Sequence, residues 1–230
     1  MRTGFTITLT DGTIFDSVTE NIVMANKPDI ALPQLLTDTQ NVIGRNSSLT
    51  YNYGCFQDRT IILNLAAKKY SSFANLKKVV AKGMAGTIQF NYLNYYFKFK
   101  AGISYVNRDA KGIPEVDVEL VIEPFGYLPP VTIITTEDFN VGNEVDTPCR
   151  IYLYGKGSFW LNNTQIKITE NLVVDTETLQ IYDVNNVNNP KGTSCTCNLL
   201  KVKIKPGVNT IRKDSTITNF VIHCNPVVFE

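Results

Sequence analysis

The sequence predicts an all-β protein of two domains that carries a single packed helix. Three observations support this. Apolar and polar side chains alternate along much of the chain, the two-residue period of a half-buried strand. Helical spacing occurs only once, between residues 71 and 83. β-Branched residues, glycine and asparagine are plentiful, which suits strands joined by tight turns. One helix among many strands is a packing element on a sheet, not a member of a bundle. With 230 residues, 43% of them apolar, the chain has material for two ordinary cores or one large one.

Taken in order, Phe5, Ile7 and Leu9 alternate with polar residues and stop at Asp11-Gly12, a hairpin signal. Ile14 and Val18 continue on the return. From 24 to 46 the pattern weakens, and Pro28 and Pro33 interrupt it, which predicts an extended, partly exposed segment. Residues 49–53 and 60–65 are the next strands, with 54–58 between them. The helix follows. Ser71 and Ser72 are good N-caps, and Phe73, Leu76 and Val80, with Val79 beside them, make an apolar stripe. Lys77, Lys78 and Lys82 lie on the other face or in the last turn, where the helix dipole favours cations. Gly83 stands where a left-handed C-cap is expected.

A strongly amphipathic hairpin comes next. Ile88 and Phe90 face one way and Gln89 and Asn91 the other; beyond a turn at Leu93-Asn94, Tyr95, Phe97, Phe99, Ala101 and Ile103 alternate with Lys98 and Lys100. After a turn-rich loop at 107–114, Val116, Val118, Leu120 and Ile122 face one side, with Asp117, Glu119 and Glu123 on the other. That is the signature of a strand buried on one face. Pro124, Gly126, Pro129 and Pro130 then stop any ladder, so the domain boundary is placed here, giving domains 1–127 and 128–230. In the second domain, short strands are predicted at 131–135, 149–154, 159–161, 165–168, 171–175, 179–182, 199–204, 209–211 and 218–223. Turns at 155–157, 162–163, 185–192 and 206–207 separate them. Many short strands at such spacing predict an antiparallel sandwich.

The charge balance, 22 basic against 21 acidic residues, provides no face for nucleic acid. No run of ~20 apolar residues is present to insert in a membrane, and residues 1–20 do not read as a signal peptide. The five cysteines are an odd number and widely scattered, the pattern of reduced thiols made in a cytosol.

Candidate chemistry is sparse. His223 and Cys224 are neighbours on a strand and so point to opposite faces, which excludes a shared catalytic site unless the strand bulges. Cys195-Thr196-Cys197 has no matching pair to complete a four-ligand zinc site. Glu137-Asp138 and Asp175 with Glu177 read as solvated turn carboxylates, not as a glycosidase pair. Gly155 and Gly157 make a hairpin turn, without the third glycine and helix of a dinucleotide site. The expectation is therefore a non-enzyme with no catalytic residue, cofactor or metal. Asn46 and Asn162 match the glycosylation pattern but have no secretory context. Two aromatic features remain. Trp160 is either a sugar-stacking platform or a core or interface residue. Tyr92, Tyr95 and Tyr96 cluster at the tip of the hairpin, either as a protein interface or folded back on the helix.

The order of these parts resembles the distal tail proteins of bacteriophages with long non-contractile tails. The resemblance covers nearly the whole chain. It rests on the Gly-Arg-Asn-Ser-Ser-Leu turn and strand at 44–49, the helix at 72–83, the aromatic hairpin at 86–101 and the strand closing at 118–127. In the second half it rests on Leu-Asn-Asn at 161–163, Asp-Thr-Glu at 175–177 and Lys-Pro-Gly-Val-Asn-Thr-Ile at 205–211. One departure is Val79-Val80, where many relatives carry a tryptophan near the helix end. The resemblance implies a sandwich- or barrel-like N-terminal domain that forms a six-membered ring, and a galectin-like C-terminal sandwich. It implies a structural hub between the tail tube and the tail-tip, fibre or baseplate proteins, located in the virion after synthesis in the host cytoplasm. A carbohydrate-binding adhesion module, using Trp160, is the alternative.

Overall fold

The computed structural model describes residues 3–41, 43, 47–110 and 113–229. The piece at 44–46 that contributes to the family resemblance lies outside them. The chain forms two compact units, Met1–Tyr127 with Phe229–Glu230, and Leu128–Val228. The first unit contains strands β1 (Phe5–Leu9), β2 (Ile14–Asp16), β3 (Ile22–Met24), β4 (Leu35–Gln40), β5 (Leu49–Phe56) and β6 (Arg59–Ala67). Helix α1 (Ala74–Ala81) follows, then β7 (Gly86–Phe90), β8 (Tyr96–Phe99), β9 (Ser104–Ala110), β10 (Ile113–Ile122) and β11 (Gly126–Tyr127).

Strand β10 is the spine of this unit. Antiparallel β6 runs along one edge, from Glu115 opposite Ala66 to Ile122 opposite Arg59. β9 and then β8 take the other edge. The sheet order is β2-β1-β7-β8-β10-β6-β3. Alternation decides which face is buried: Val116, Val118, Leu120 and Ile122 are at most 1% exposed, and Ile61, Leu63 and Leu65 lie opposite them. Helix α1 packs near both β2 and β9, so the sheet curls around it and the helix plugs the core with Phe73, Leu76 and Val79.

The helix differs from its sequence reading at its start. A 3-10 turn, Tyr70–Phe73, leads into it, and no serine side chain caps it. Phe73 at the end of that turn and Leu76 and Val79 in the helix face the core, with Val79 buried and Val80 only half-buried. Its end is as expected: Gly83 has φ +60 and gives its N–H to the Val80 carbonyl at 3.0 Å. The first hairpin turns at Gly12, φ +83, and pairs Ile7 with Phe15. The return strand therefore buries Phe15, while Ile14 and Val18 are exposed, because a one-residue change of register exchanges the faces. The expected loop at 107–114 is also corrected: β9 runs to Ala110 and β10 starts at Ile113, a long hairpin.

The second unit is an antiparallel sandwich, with β12 (Val131–Ile133), β13 (Cys149–Gly155), β14 (Gly157–Leu161), β15 (Thr164–Ile168) and β16 (Leu172–Asp175). It continues with β17 (Gln180–Asp183), β18 (Asn186–Pro190), β19 (Cys195–Thr196), β20 (Ile211–Lys213) and β21 (Ile217–Cys224). One sheet has the order β12-β21-β13-β16-β17-β18 and the other β19-β15-β14-β20. Ile151, Leu153, Phe159, Leu161, Ile166, Phe220 and Ile222 fill the space between them. Two expectations are corrected here. Residues 186–190, read as turn, form the exposed edge strand β18. Residues 199–204 form a 3-10 turn, Leu199–Lys201, and one bridge from Ile204 to Thr147, although Val202 and Ile204 are still fully buried.

An asparagine pair locks the sandwich loops. Asn209 is fully buried. Its Nδ2 donates to the carbonyls of Lys205 (2.8 Å) and Gly207 (3.1 Å), and its Oδ1 accepts from the Lys205 N–H (2.8 Å) and from Asn162 Nδ2 (2.9 Å). Asn162 in turn accepts the Thr210 N–H at 3.1 Å. The segments 161–163 and 205–211, separate pieces of the family resemblance, are thus one hydrogen-bonded structure.

Candidate assembly surface

In the first unit the most open feature is a two-stranded ribbon. Among the described residues, β4 pairs only with β5, in a separate sheet. Every residue of β4 is exposed. Leu32, Leu35, Leu36, Tyr51 and Tyr53 all show large apolar surface to solvent. A lone hairpin is marginal in water without a face to bury, and exposed strand edges are templates for further pairing. The ribbon therefore leaves leucine and tyrosine side chains open to solvent, an apolar surface of the kind found at protein contacts. In the large sheet, β9 and β3 are edge strands on opposite sides, with Val106 and Val23 exposed.

The strand at 116–122, read as buried on one face, is a central strand and offers no open edge. Both its sides are paired, and its apolar face is buried in the core. The hairpin tyrosines pack within their own unit. Tyr92 stacks on Phe90 at 5.5 Å, with Lys27 Nζ 4.6 Å from its ring centre. Tyr96 stacks on Tyr127 at 5.8 Å. Tyr95 is buried edge-on against Phe97 at 5.4 Å, and its hydroxyl has no hydrogen-bond partner among the described residues. Sequence reasoning placed a strand at 49–53, within β5, and an extended segment over 24–46, but missed that β4 pairs with β5 as a ribbon.

The fold matches a solved structure over almost its full length. The crystal structure of the SPP1 Dit protein (gp19.1), described as a paradigm of the hub adsorption apparatus in phages infecting Gram-positive bacteria, aligns with a TM-score of 0.66. The alignment covers 97% of this chain and 98% of that one at 14% sequence identity. The chain has the Dit fold. No family profile and no curated protein matches the chain in sequence. The Dit fold at this identity comes without the Dit sequence, so the shared content is the arrangement of strands, helix and hairpins.

Within this Dit fold, the residues singled out for chemistry do not converge. His223 and Cys224 point to opposite faces of β21. His223 is exposed, with Nδ1 2.9 Å from Thr132 Oγ1, whereas Cys224 is buried opposite Cys149. Burial pushes the Cys149 thiol up to about 12 and the Cys224 thiol up to about 11, so both stay protonated and unreactive. Cys195 donates its S–H to Cys197 across 3.7 Å, which raises the former thiol and lowers the latter. Among the described residues, no group of three or more His, Cys, Asp or Glu could hold a metal ion, and no helix is long and apolar enough to cross a membrane. Trp160 lies half-buried on the outer face of the four-stranded sheet, between Gln165 and Arg212. Glu137, Asp138 and Glu177 are exposed as expected, but Asp175 is not a solvated turn residue: its side chain is 2% exposed and ion-paired.

Proposed function

We propose that this protein is a distal tail hub: a structural, non-enzymatic component of a phage tail or a tail-derived particle. The single observation that carries this reading is the whole-chain match to a Dit hub fold, both units included. In this reading the first unit assembles copies of itself into a closed ring, six-fold as in the family it resembles. One face of the ring meets the tail tube and the other the tail-tip, fibre or baseplate proteins. The second unit is a galectin-like domain displayed by that ring. The exposed ribbon supports the ring, because head-to-tail contacts need a surface on each copy that is incomplete alone. The occupant of the ribbon is a second copy of this chain.

Sedimentation over a wide concentration range, with and without tail-tube protein, tests the reading. The wild-type chain forms a discrete ring-sized species, and replacing Leu35 and Tyr53 with serine on the exposed ribbon shifts it to monomer without loss of β structure. If the wild type stays monomeric at high concentration with tube protein present, the hub reading fails and the adhesion reading replaces it.

A further inference from the structure

The outer face of the six-stranded sheet holds a cleft of about 420 Å3. Its floor is Arg150 on β13 and Asp175 on β16, direct cross-strand partners. The Asp175 side chain is 2% exposed and that of Arg150 43%. Arg150 donates Nε–H to Asp175 Oδ2 at 2.9 Å, and Nη2 lies 2.8 Å from the same oxygen. Oδ1 accepts the backbone N–H groups of Glu177 (3.0 Å) and Thr178 (3.1 Å), and the Tyr182 hydroxyl donates to Oδ2 at 3.4 Å. The carboxylate is held from every side and cannot turn, and through it the plane of the guanidinium is fixed. Of the five N–H donors of a guanidinium, two meet Asp175 and Arg150 makes a further side-chain hydrogen bond with Tyr152; all three residues line the cleft. The Tyr152 ring is itself braced edge-on by His223 at 5.4 Å. Gln180, Asn185 and Asn186 also line it, with Asn186 Oδ1 accepting the Asn188 N–H at 3.0 Å.

We propose that this cleft binds a neutral saccharide. The charge of Arg150 is balanced by Asp175, and the other carboxylate of the lining, Asp183, has Lys191 Nζ at 3.7 Å, so the site does not call for an ion of either sign. What it offers is a fixed planar set of donors, carboxamides that both donate and accept, and an aromatic ring. Sugar hydroxyls, which also donate and accept, and an apolar C–H face complement that set. A sheet position held only for stability has no need of an ion pair, since a desolvated pair is often no better than apolar residues of the same volume. The cleft lies on the opposite sheet from Trp160, so it is a different site from the one the sequence suggested. The proposal does not depend on ring assembly.

The test is a titration of the isotope-labelled full chain with glucose, galactose, N-acetylglucosamine and rhamnose, followed by nuclear magnetic resonance. The Arg150 Nε–H and the backbone amides of 178–187 report on the cleft. One of these sugars produces saturable shifts confined to those signals. Arg150→Lys, which keeps the charge and loses the fork, weakens binding by about tenfold or more. Asn186→Ala on the exposed rim, which leaves the ion pair intact, weakens binding as well, and Trp160→Ala leaves it unchanged. The proposal is overturned if none of the four sugars shifts the cleft signals, if the shifts map to the Trp160 face, or if Asn186→Ala and Arg150→Lys bind as the wild type does.

Discussion

Replacing Asn209 with alanine removes four side-chain hydrogen bonds from a fully buried position. Two donors, the Lys205 N–H and Asn162 Nδ2, lose their acceptor, and two carbonyls, those of Lys205 and Gly207, lose their donor. A net loss of about 1 kcal/mol per bond gives about 4 kcal/mol, and the penalty for groups left buried and unpaired raises the figure where the loop cannot relax toward water. That is a large part of the ~5–15 kcal/mol that holds an ordinary domain together. Trp160, the only tryptophan, is on β14 in the same unit, so its fluorescence reports urea unfolding of the sandwich alone. With a slope of about 1–3 kcal/mol per molar urea, the midpoint falls by roughly 1.5–4 M. Asn209→Asp sharpens the test. It keeps the acceptor oxygen but sets a second oxygen against two carbonyls and buries a charge. It is therefore more damaging at neutral pH than at pH values low enough to protonate it. A loss under about 1 kcal/mol for Asn209→Ala, or an Asn209→Asp deficit that does not shrink on acidification, would refute the idea that this amide locks the loops.

Three further outcomes follow from the geometry. Tyr95→Phe deletes a buried hydroxyl that has no partner among the described residues and should leave thermal stability unchanged or raised by up to about 1 kcal/mol; a clear loss contradicts the unpaired state. Cys55 is exposed and should react with a thiol reagent in the folded protein, whereas Cys149 and Cys224 should react only at the rate of unfolding; equal rates for all three would contradict their burial. Burial alone would raise the Asp175 carboxyl, but the Thr178 N–H, the Arg150 guanidinium and the Glu177 N–H outweigh it and hold it below the usual range. The stability difference between wild type and Asp175→Asn should therefore be full above about pH 4 and close as the pH falls through the lowered value; a gap that is constant or widens in acid contradicts the sign.

The parts of the fold that were legible in the sequence are those in which one face is buried and the other wet. β10, the 86–99 hairpin and the helix each write that asymmetry into their spacing, so Val116 to Ile122, Phe73 and Leu76 could be placed on the core side without a structure, whereas the stripe was continued to Val80 and the buried residue is Val79. The ribbon was not legible for the same reason. With no buried face, Leu35 to Gln40 shows no period, and Pro28 and Pro33 make it resemble a loop. Strand β18 is fully exposed and asparagine-rich, and carries turn composition in an extended conformation. Asp175 looked like a turn carboxylate because its role depends on Arg150, 25 positions earlier and adjacent only through the pairing of β13 with β16. Sites made by strand register are visible only once the register is known.

The claim that this chain is a tail hub stands or falls on assembly, and direct imaging of particles tests it most plainly. Negative-stain images of the full chain, alone and mixed with tail-tube protein, should show closed rings whose class averages have six-fold symmetry. A field of single compact particles in both conditions, at concentrations where the mass is that of one 25.7 kDa chain, would contradict the account.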